Sequence, residues 1–199
     1  MTASPWRAAL GGRFDELAPG LHAYFSPVPA GSVGVGTGIF EVVGTPRRWL
    51  WPVLALLGLE RIVWPVWQHD VPFTVTNRYD DGVVRAEREF RFPQGRRTMA
   101  DAIVARGDSV VDRVGTHGLL EVEFAPEVVD GGLILASTRT ALRLGRVRLP
   151  IPRALAPRAR IEERALPDGR QRVSFTLDAP GLGRLYEYAG EFTYSEQPA

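Results

Sequence analysis

The sequence predicts a mainly β domain with minor α structure, in which an antiparallel meander is closed or strongly curved into a barrel or half-barrel. From Pro72 onward apolar residues recur with period two, which is typical of strands with one buried face. Turn signals separate these segments, as in Asp80-Asp81-Gly82, Asp130-Gly131 and Pro167-Asp168-Gly169. No helical pattern interrupts them, which favours a meander over alternating strands and helices.

Length and composition favour a single folded domain. The chain has 199 residues, of which 45% are hydrophobic and 24% charged, and a chain of this size can bury a core without disulfides. We expect one domain over 1–199, with an N-terminal helical extension at 1–20, a β domain at 33–194 and a helical insertion at 46–66.

The secondary structure before the meander is predicted from residues that cap helices and from prolines and glycines that interrupt regular structure. A short helix is expected over Ser4 to Leu17, because Ser4 can cap it and Pro5 suits a first turn. Ala18 to Gly31 is predicted to be irregular, since prolines and glycines recur there. Val33 to Val43 is the first expected strand.

A second helix is expected at about 46–66, packed on or over the barrel. The segment from 45 to 67 holds four of the five tryptophans, namely Trp49, Trp51, Trp64 and Trp67. Three interpretations remain open: a core helix over one sheet face, a lid over an apolar cavity, or a patch that touches a membrane surface.

Composition excludes several kinds of chemistry. The chain has no cysteine and no lysine, which excludes disulfides, thiolate metal sites and a lysine Schiff base. A net charge of +1 gives no electrostatic case for nucleic acid. The three histidines are too widely spaced to predict a metal site, and Gly34-x-Gly36-x-Gly38 lacks the helix that a dinucleotide site needs, so no cofactor is expected.

The same sequence gives an expectation about location. The N-terminus lacks the apolar core of a signal peptide, and the strongest apolar run, Trp49 to Leu59, is about half of the ~20 residues that span a bilayer. We therefore expect no transmembrane helix. Together with the absence of cysteine, this predicts a cytoplasmic protein.

Strand alternation singles out a few polar residues on apolar faces. Arg88 shares a face with Ala86 and Phe90, where an unpaired guanidinium would be costly. Three interpretations of Arg88 remain open: it belongs to a structural ion pair, it lies at the barrel mouth, or it anchors a ligand. Arg139 shares a predicted face with Leu133 and Leu135 in the same way.

Two further strands bear on a possible site. Tyr186 and Tyr188 lie on the predicted inner face of the last strand, where their hydroxyl groups could reach a mainly apolar pocket or simply the rim of a core. Glu121 and Glu123 occupy the face opposite Val122. We expect these two carboxylates to be solvated rather than to form an acid–base pair.

In the order of its short motifs the chain resembles the bacterial family DUF4166, a domain of unknown function, over roughly Ala18 to Phe192. The matching motifs are Leu21-His22, Gly38, Arg88-x-Phe90, Gly131-Gly132-Leu133, Leu149-Pro150, Pro157, Glu163, Asp168-Gly169, Phe175, Pro180-x-x-Gly183 and Tyr188-x-Gly190. Ala86 departs from the family pattern, which has tryptophan or a similar residue there. The resemblance supplies no catalytic residues, but it makes Arg88, His22 and Tyr188 candidate site residues.

Three functions stay open at this stage. The leading one is a lipocalin-like barrel or half-barrel that binds a small hydrophobic molecule and uses no nucleic acid partner. The alternatives are a cofactor-free cyclase or isomerase acting in the same cavity, and an interaction domain whose Trp-rich helix docks on a partner or, without spanning it, on a membrane surface. The candidate ligand-binding residues are Arg88, Tyr188, Tyr186, His22, Arg139, Phe90 and Trp64.

Overall fold

The computed structural model describes residues 3–199, and eleven strands lie within them. Met1 and Thr2, which belong to the predicted N-terminal extension, lie outside the described residues. The strands are β1 (Ser32–Gly44), β2 (Trp67–Asp80), β3 (Val83–Phe92), β4 (Gly95–Arg106), β5 (Ser109–Val114), β6 (Leu120–Val129), β7 (Gly132–Leu144), β8 (Val147–Pro150), β9 (Arg158–Ala165), β10 (Gln171–Ala179) and β11 (Gly183–Pro198).

Ten of these strands form a closed antiparallel barrel. Their order around the ring is β6-β5-β4-β3-β2-β1-β11-β10-β9-β7, and β7 pairs back onto β6. The short β8 pairs only with the end of β7 and extends it as a hairpin. The predicted closed meander is therefore confirmed. One consequence matters for the site: β9 is five strands from β3 in a ring of ten, so these two strands face each other across the interior.

The predicted turns join consecutive strands. In the β2–β3 turn Asp81 and Gly82 have φ of 42° and 80°, and in the β6–β7 turn Asp130 and Gly131 have φ of 50° and 74°. Positive φ at both central residues matches the right-handed twist of the flanking strands, and aspartate and glycine tolerate it well. These tight turns fix the strand register and hence which side chains point inward.

The helices differ from expectation in their bounds. The N-terminal segment forms α1 (Pro5–Leu10) and a 3₁₀ helix over 11–16, with the Ser4 hydroxyl accepting a hydrogen bond from the Arg7 N–H as predicted. The segment predicted to be irregular contains α2 (Pro19–Phe25). That prediction was wrong because Pro19 occupies the first turn of α2, where a missing N–H costs nothing.

The tryptophan-rich segment is less helical than expected. It forms a 3₁₀ helix over 48–50 and α3 (Trp51–Leu59), whereas helix was predicted to about residue 66. Helix ends after Gly58 and Leu59, and Arg61 has a φ of 59°. The chain then extends into β2, whose first residue, Trp67, pairs with Gly44 of β1.

Two apolar clusters fill the barrel. One contains the N-terminal helices, which pack with Phe14 and Phe25 against the inner faces of β4 to β7. The other is aromatic and centres on Phe40, Phe73 and Phe90, with Trp64 against Phe90. Residues of both clusters line one cavity, so the cavity lies where the clusters meet.

Candidate functional site

The barrel encloses a cavity of about 300 Å³. This volume is at the lower end of the range of about 300–1,000 Å³ for small-molecule sites. Most of its wall is apolar, including Ile103, Val122 and Leu135 from the strands. Trp6 of α1 lines it as well, and on another side α3 contributes Val53, Leu54 and Leu57.

Three charged side chains form a diagonal across adjacent strands of this wall. Arg88 of β3 is opposite Met99, and Asp101 lies two residues further along β4 on the same face. Asp112 of β5 pairs with Ile103, again two residues beyond Asp101. Side chains two residues apart on a strand share a face, so Arg88, Asp101 and Asp112 all point into the cavity.

A fourth charged residue comes from the opposite wall. Glu163 lies on β9, the strand that faces β3 across the ring, and it pairs with Val173 of β10 and Leu133 of β7. Glu163 is only 7% exposed and lines the same cavity. The electrostatic influence of Arg88 on Glu163 shows that the two walls act on one shared site.

Tyr188 and Tyr24 add hydroxyl groups to the polar part of the wall. The Tyr188 ring is stacked between Phe40, at 5.4 Å between ring centroids, and Phe175, at 4.8 Å. Gly190 makes this possible, because a Cβ at that position would collide with the Phe40 ring and the Ile39 carbonyl. Tyr24 of α2 lies within hydrogen-bonding reach of Arg88.

Arg88 is held by a buried ion pair with Asp101. The Arg88 side chain is largely buried and the Asp101 side chain almost completely so. Burial by itself lowers the pKa of Arg88, but Tyr24, Tyr188, Asp112 and Glu163 together outweigh it and raise the pKa above its ordinary value. The guanidinium therefore stays charged inside the barrel.

The other two carboxyl groups resist ionisation. Burial raises the pKa of Asp112 to about 7, although Arg88 opposes the change. Burial likewise raises the pKa of Glu163 to about 8 against the same opposing charge. The pKa of the Tyr188 hydroxyl rises to about 12, mainly through burial. The positive charge of one arginine thus acts on three carboxyl groups, but it forms a direct ion pair with Asp101 only.

Several carboxyl oxygens in this site have no hydrogen-bond partner among the described residues. They are Asp101 Oδ1, Asp112 Oδ1 and Glu163 Oε2, and all three are buried. Buried polar atoms are normally satisfied, and exceptions in a native structure mark sites of function, bound water or a missing ligand. The site therefore offers free hydrogen-bonding capacity at the polar end of an apolar cavity.

Of the residues singled out from sequence, Arg88, Tyr186 and Tyr188 line this cavity. Among the described residues, Phe90 and Trp64 pack in the aromatic cluster beside the cavity rather than in its wall. Both are buried, so they support the wall from behind.

The structure does not bring His22 and Arg139 to the cavity. His22 lies on α2, where its Nε2 is 2.9 Å from the Leu17 carbonyl and its ring contacts Phe14. Arg139 has a 65% exposed side chain that pairs with Glu123 on the outer surface. A bulge displaces Arg139 from the face that Leu133 and Leu135 share, because Glu123 pairs with Arg139 while the adjacent Phe124 pairs with Ser137.

Four residues of the site were not among the candidates from sequence: Tyr24, Asp101, Asp112 and Glu163, of which Glu163 was named only as a family motif. The period-two signal that identified Arg88 was present for two of them, since Asp101 lies between Met99 and Ile103, and Asp112 between Val110 and Val114. Tyr24 was missed because its helix was not predicted.

The expectation that Glu121 is solvated was wrong. It is 1% exposed, although it points away from the barrel interior. Arg106, Arg113, Arg143 and Arg148 cover it, with the closest contact, 2.9 Å, made by Arg148 Nε. Long arginine side chains can bury a carboxylate on an outer sheet face.

The tryptophan-rich segment contributes residues both to the cavity wall and to the protein surface. Trp64 is buried and Trp51 half-buried, whereas Trp49 is 58% exposed. The helix α3 between them lines the cavity with Leu54 and Leu57, while Leu56 and Leu59 on the same helix are exposed. In residues 3–199 no helix is long and apolar enough to cross a membrane. Over the same residues, no group of three or more histidine, aspartate or glutamate side chains is placed to hold a metal ion.

Comparison with known proteins agrees with the motif order. None of the curated proteins compared with the chain matches it. The model of one family matches residues 17–192, which is most of the chain and includes every strand of the barrel apart from the last six residues of β11. The matched region also contains Arg88, Asp101, Asp112 and Glu163. The chain belongs to the family described as a domain of unknown function, DUF4166.

Proposed function

We propose that the protein binds a small hydrophobic molecule in the barrel cavity, with a polar group of that molecule at the Arg88–Asp101–Asp112–Glu163 cluster. The observation that carries this proposal is the cavity of about 300 Å³, whose wall is mainly apolar and whose charged residues, among those described, all belong to this cluster. Apolar walls supply affinity through removal of ligand surface from water, and a few convergent polar groups fix orientation.

The test is to look for a bound molecule directly. Native mass spectrometry of the purified protein is expected to show an additional mass that organic extraction removes. The stripped protein is then titrated with phenylnaphthylamine, an uncharged apolar dye whose fluorescence rises in apolar sites. We expect saturable binding with one dye per chain.

A cavity-filling variant makes the test specific. Val122 lines the cavity, so Val122→Phe occupies part of the void and is expected to weaken dye binding at least about tenfold, a loss of about 1.4 kcal/mol. Val147→Phe makes the same change on the exposed strand β8 and is expected to bind dye normally. Equal binding by both variants, with thermal unfolding showing both folded, would place the dye outside the cavity and contradict the proposal.

A second candidate function is acid–base catalysis in the same cavity, as in a cofactor-free isomerase. The observation that favours it is the pair of carboxyl groups in the cavity wall, Asp112 of β5 with a pKa of about 7 and Glu163 of β9 with a pKa of about 8. A general base works best when its pKa is near the working pH. Ionised Asp112 would take a proton from a carbon next to a carbonyl, and protonated Glu163 would return one to the substrate.

Proton exchange tests this candidate without knowledge of the natural substrate. Decanone incubated with the protein in deuterium oxide is expected to gain deuterium beside its carbonyl faster than in buffer. Asp112→Asn is expected to abolish the acceleration. Asp108→Asn, on the exposed β4–β5 turn, is the control and retains it. Acceleration that survives in the Asp112→Asn variant would exclude Asp112 as the base.

A further inference from the structure

We infer that the polar end of the cavity selects a ligand whose head group carries no negative charge, such as an alcohol, a ketone or a protonated amine, and rejects carboxylates. This inference rests on the proposed binding function and specifies its ligand class. A barrel with a buried arginine invites the opposite conclusion, that it binds fatty acids, so the charges around Arg88 decide the question.

The guanidinium of Arg88 already has partners within the protein. Its guanidinium forms an ion pair with Asp101, whose side chain is 2% exposed, and Tyr24 lies within hydrogen-bonding reach on another side. Among the cavity-lining residues that the structure describes, Arg88 is the only cation. A ligand carboxylate would have to displace a carboxylate that the fold itself holds in place, and the displaced Asp101 would remain buried without a partner.

The surrounding carboxyl groups also disfavour an anion. Asp112 of β5 and Glu163 of β9 both line the cavity, and Glu163 is more than nine-tenths buried with its Oε2 atom unpartnered. A carboxylate placed beside them would face the negative charge of Asp112, which is partly ionised at neutral pH, in surroundings that screen charge poorly. The free oxygens can instead accept hydrogen bonds from a hydroxyl or an ammonium group.

An uncharged or cationic head group also fits the protonation of the site. At neutral pH the raised pKa values keep Glu163 mainly protonated and Asp112 partly so. Protonated carboxyl groups can donate a hydrogen bond to a ketone oxygen. With an ammonium group, the same carboxyl groups can release their protons and become its counter-charge.

Three matched amphiphiles test the inference. Decanol, decylamine and decanoate share one chain and differ in the head group, and each is titrated below its micelle concentration, at neutral pH, against bound phenylnaphthylamine. We expect decanol and decylamine to displace the dye, with decanoate at least about tenfold weaker than decanol. Displacement by decanoate equal to or better than by decanol would overturn the inference and leave the binding function intact. If neither the dye nor any amphiphile binds, the proposed function itself is wrong.

Removing the Asp101 carboxylate from Arg88 should reverse the preference of the cavity for decanol over decanoate. Asp101→Asn leaves Arg88 without its ion-pair partner, so decanoate binding is expected to rise at least about tenfold while decanol binding stays within about twofold. Asp108→Asn removes one exposed carboxylate from the same β4–β5 hairpin and is expected to change neither. Should Asp101→Asn not fold, Asp112→Asn provides the second arm, because it removes the cavity carboxyl group that is partly ionised at neutral pH and must also strengthen decanoate binding. Unchanged decanoate binding in a folded variant would contradict the inference.

Discussion

Glu121 and Glu163 are both buried glutamates on strands of the same barrel, yet their carboxyl groups behave in opposite ways. Burial tends to raise the pKa of Glu121, but hydrogen bonds from Arg148 and Arg143 and the charge of Arg106 outweigh it and hold the pKa at about 2. Burial raises the pKa of Glu163 to about 8, and the opposing influence of Arg88 is too weak to prevent it. The number of compensating cations therefore decides the charge state of a buried carboxyl group here.

The two environments suit different tasks. On the outer face, four arginines converge on Glu121 from strands β4, β5, β7 and β8, and thus tie the extra hairpin strand to the barrel. In the interior, one arginine is shared among Asp101, Asp112 and Glu163, which leaves carboxyl oxygens without partners. A saturated cluster holds structure together, whereas an undersatisfied cluster in a cavity is available to a ligand.

The largest expected effect of a substitution comes from removing Arg88, the only cation in the cavity wall among residues 3–199. Arg88→Met leaves Asp101 buried without its ion-pair partner, and the free energy of unfolding is expected to fall by about 3–5 kcal/mol. Urea unfolding followed by circular dichroism measures it. The double variant Arg88→Met with Asp101→Leu is expected to recover most of the loss, because the pair is then replaced by apolar groups. A double variant as unstable as the single one would show that Arg88 stabilises the barrel by means other than this pair.

Matched glutamine substitutions separate the two glutamates. Glu121→Gln removes the common acceptor of four arginines, and we expect a loss of about 2 kcal/mol, since hydrogen bonds to charged groups contribute about 1.5–3 kcal/mol. Glu163→Gln replaces a mainly uncharged carboxyl group by an uncharged amide of similar shape and removes the ionisation that favours the unfolded chain, so at neutral pH we expect no loss and a gain of up to about 3 kcal/mol.

The same urea unfolding measures both variants at one pH and one ionic strength. High salt should reduce the effect of Glu121→Gln, because the arginines around it are partly exposed, and should hardly alter that of Glu163→Gln. A larger loss for Glu163→Gln than for Glu121→Gln would refute the contrast between a saturated and an undersatisfied cluster.

The sequence predicted the barrel and Arg88, because alternation and turn residues are local signals that this chain carries clearly. It did not predict which carboxylate meets Arg88, since that depends on the pairing of β3 with β4 and on the diagonal between them. Glu163 comes from a strand about seventy residues away that faces Arg88 only once the ring has closed. Arg139 was placed on the wrong face for a related reason: one bulge between β6 and β7 changes which residues face inward.

The most direct test of the comparison is the dependence of stability on pH. Asp112 and Glu163 have ordinary pKa values of 3.8 and 4.5 but titrate near 7 and 8 in the folded protein. Between about pH 4 and pH 8 the folded state therefore binds protons that the unfolded chain has released, and stability must fall as pH rises through that window. Each fully differing group contributes up to about 1.4 kcal/mol per pH unit.

Glu121 has the opposite sign, because its pKa drops from 4.5 to about 2 on folding. Its contribution is present above pH 4.5 and is lost as pH falls toward 2. Urea unfolding from acidic to mildly alkaline pH should thus show stability lost in both directions from a maximum near pH 4 to 5. Asp112→Asn with Glu163→Gln is expected to flatten the alkaline side alone, and Glu121→Gln the acidic side alone. If one variant flattened both sides, the two clusters would be coupled, and the interior carboxyl groups could not be treated as a separate site.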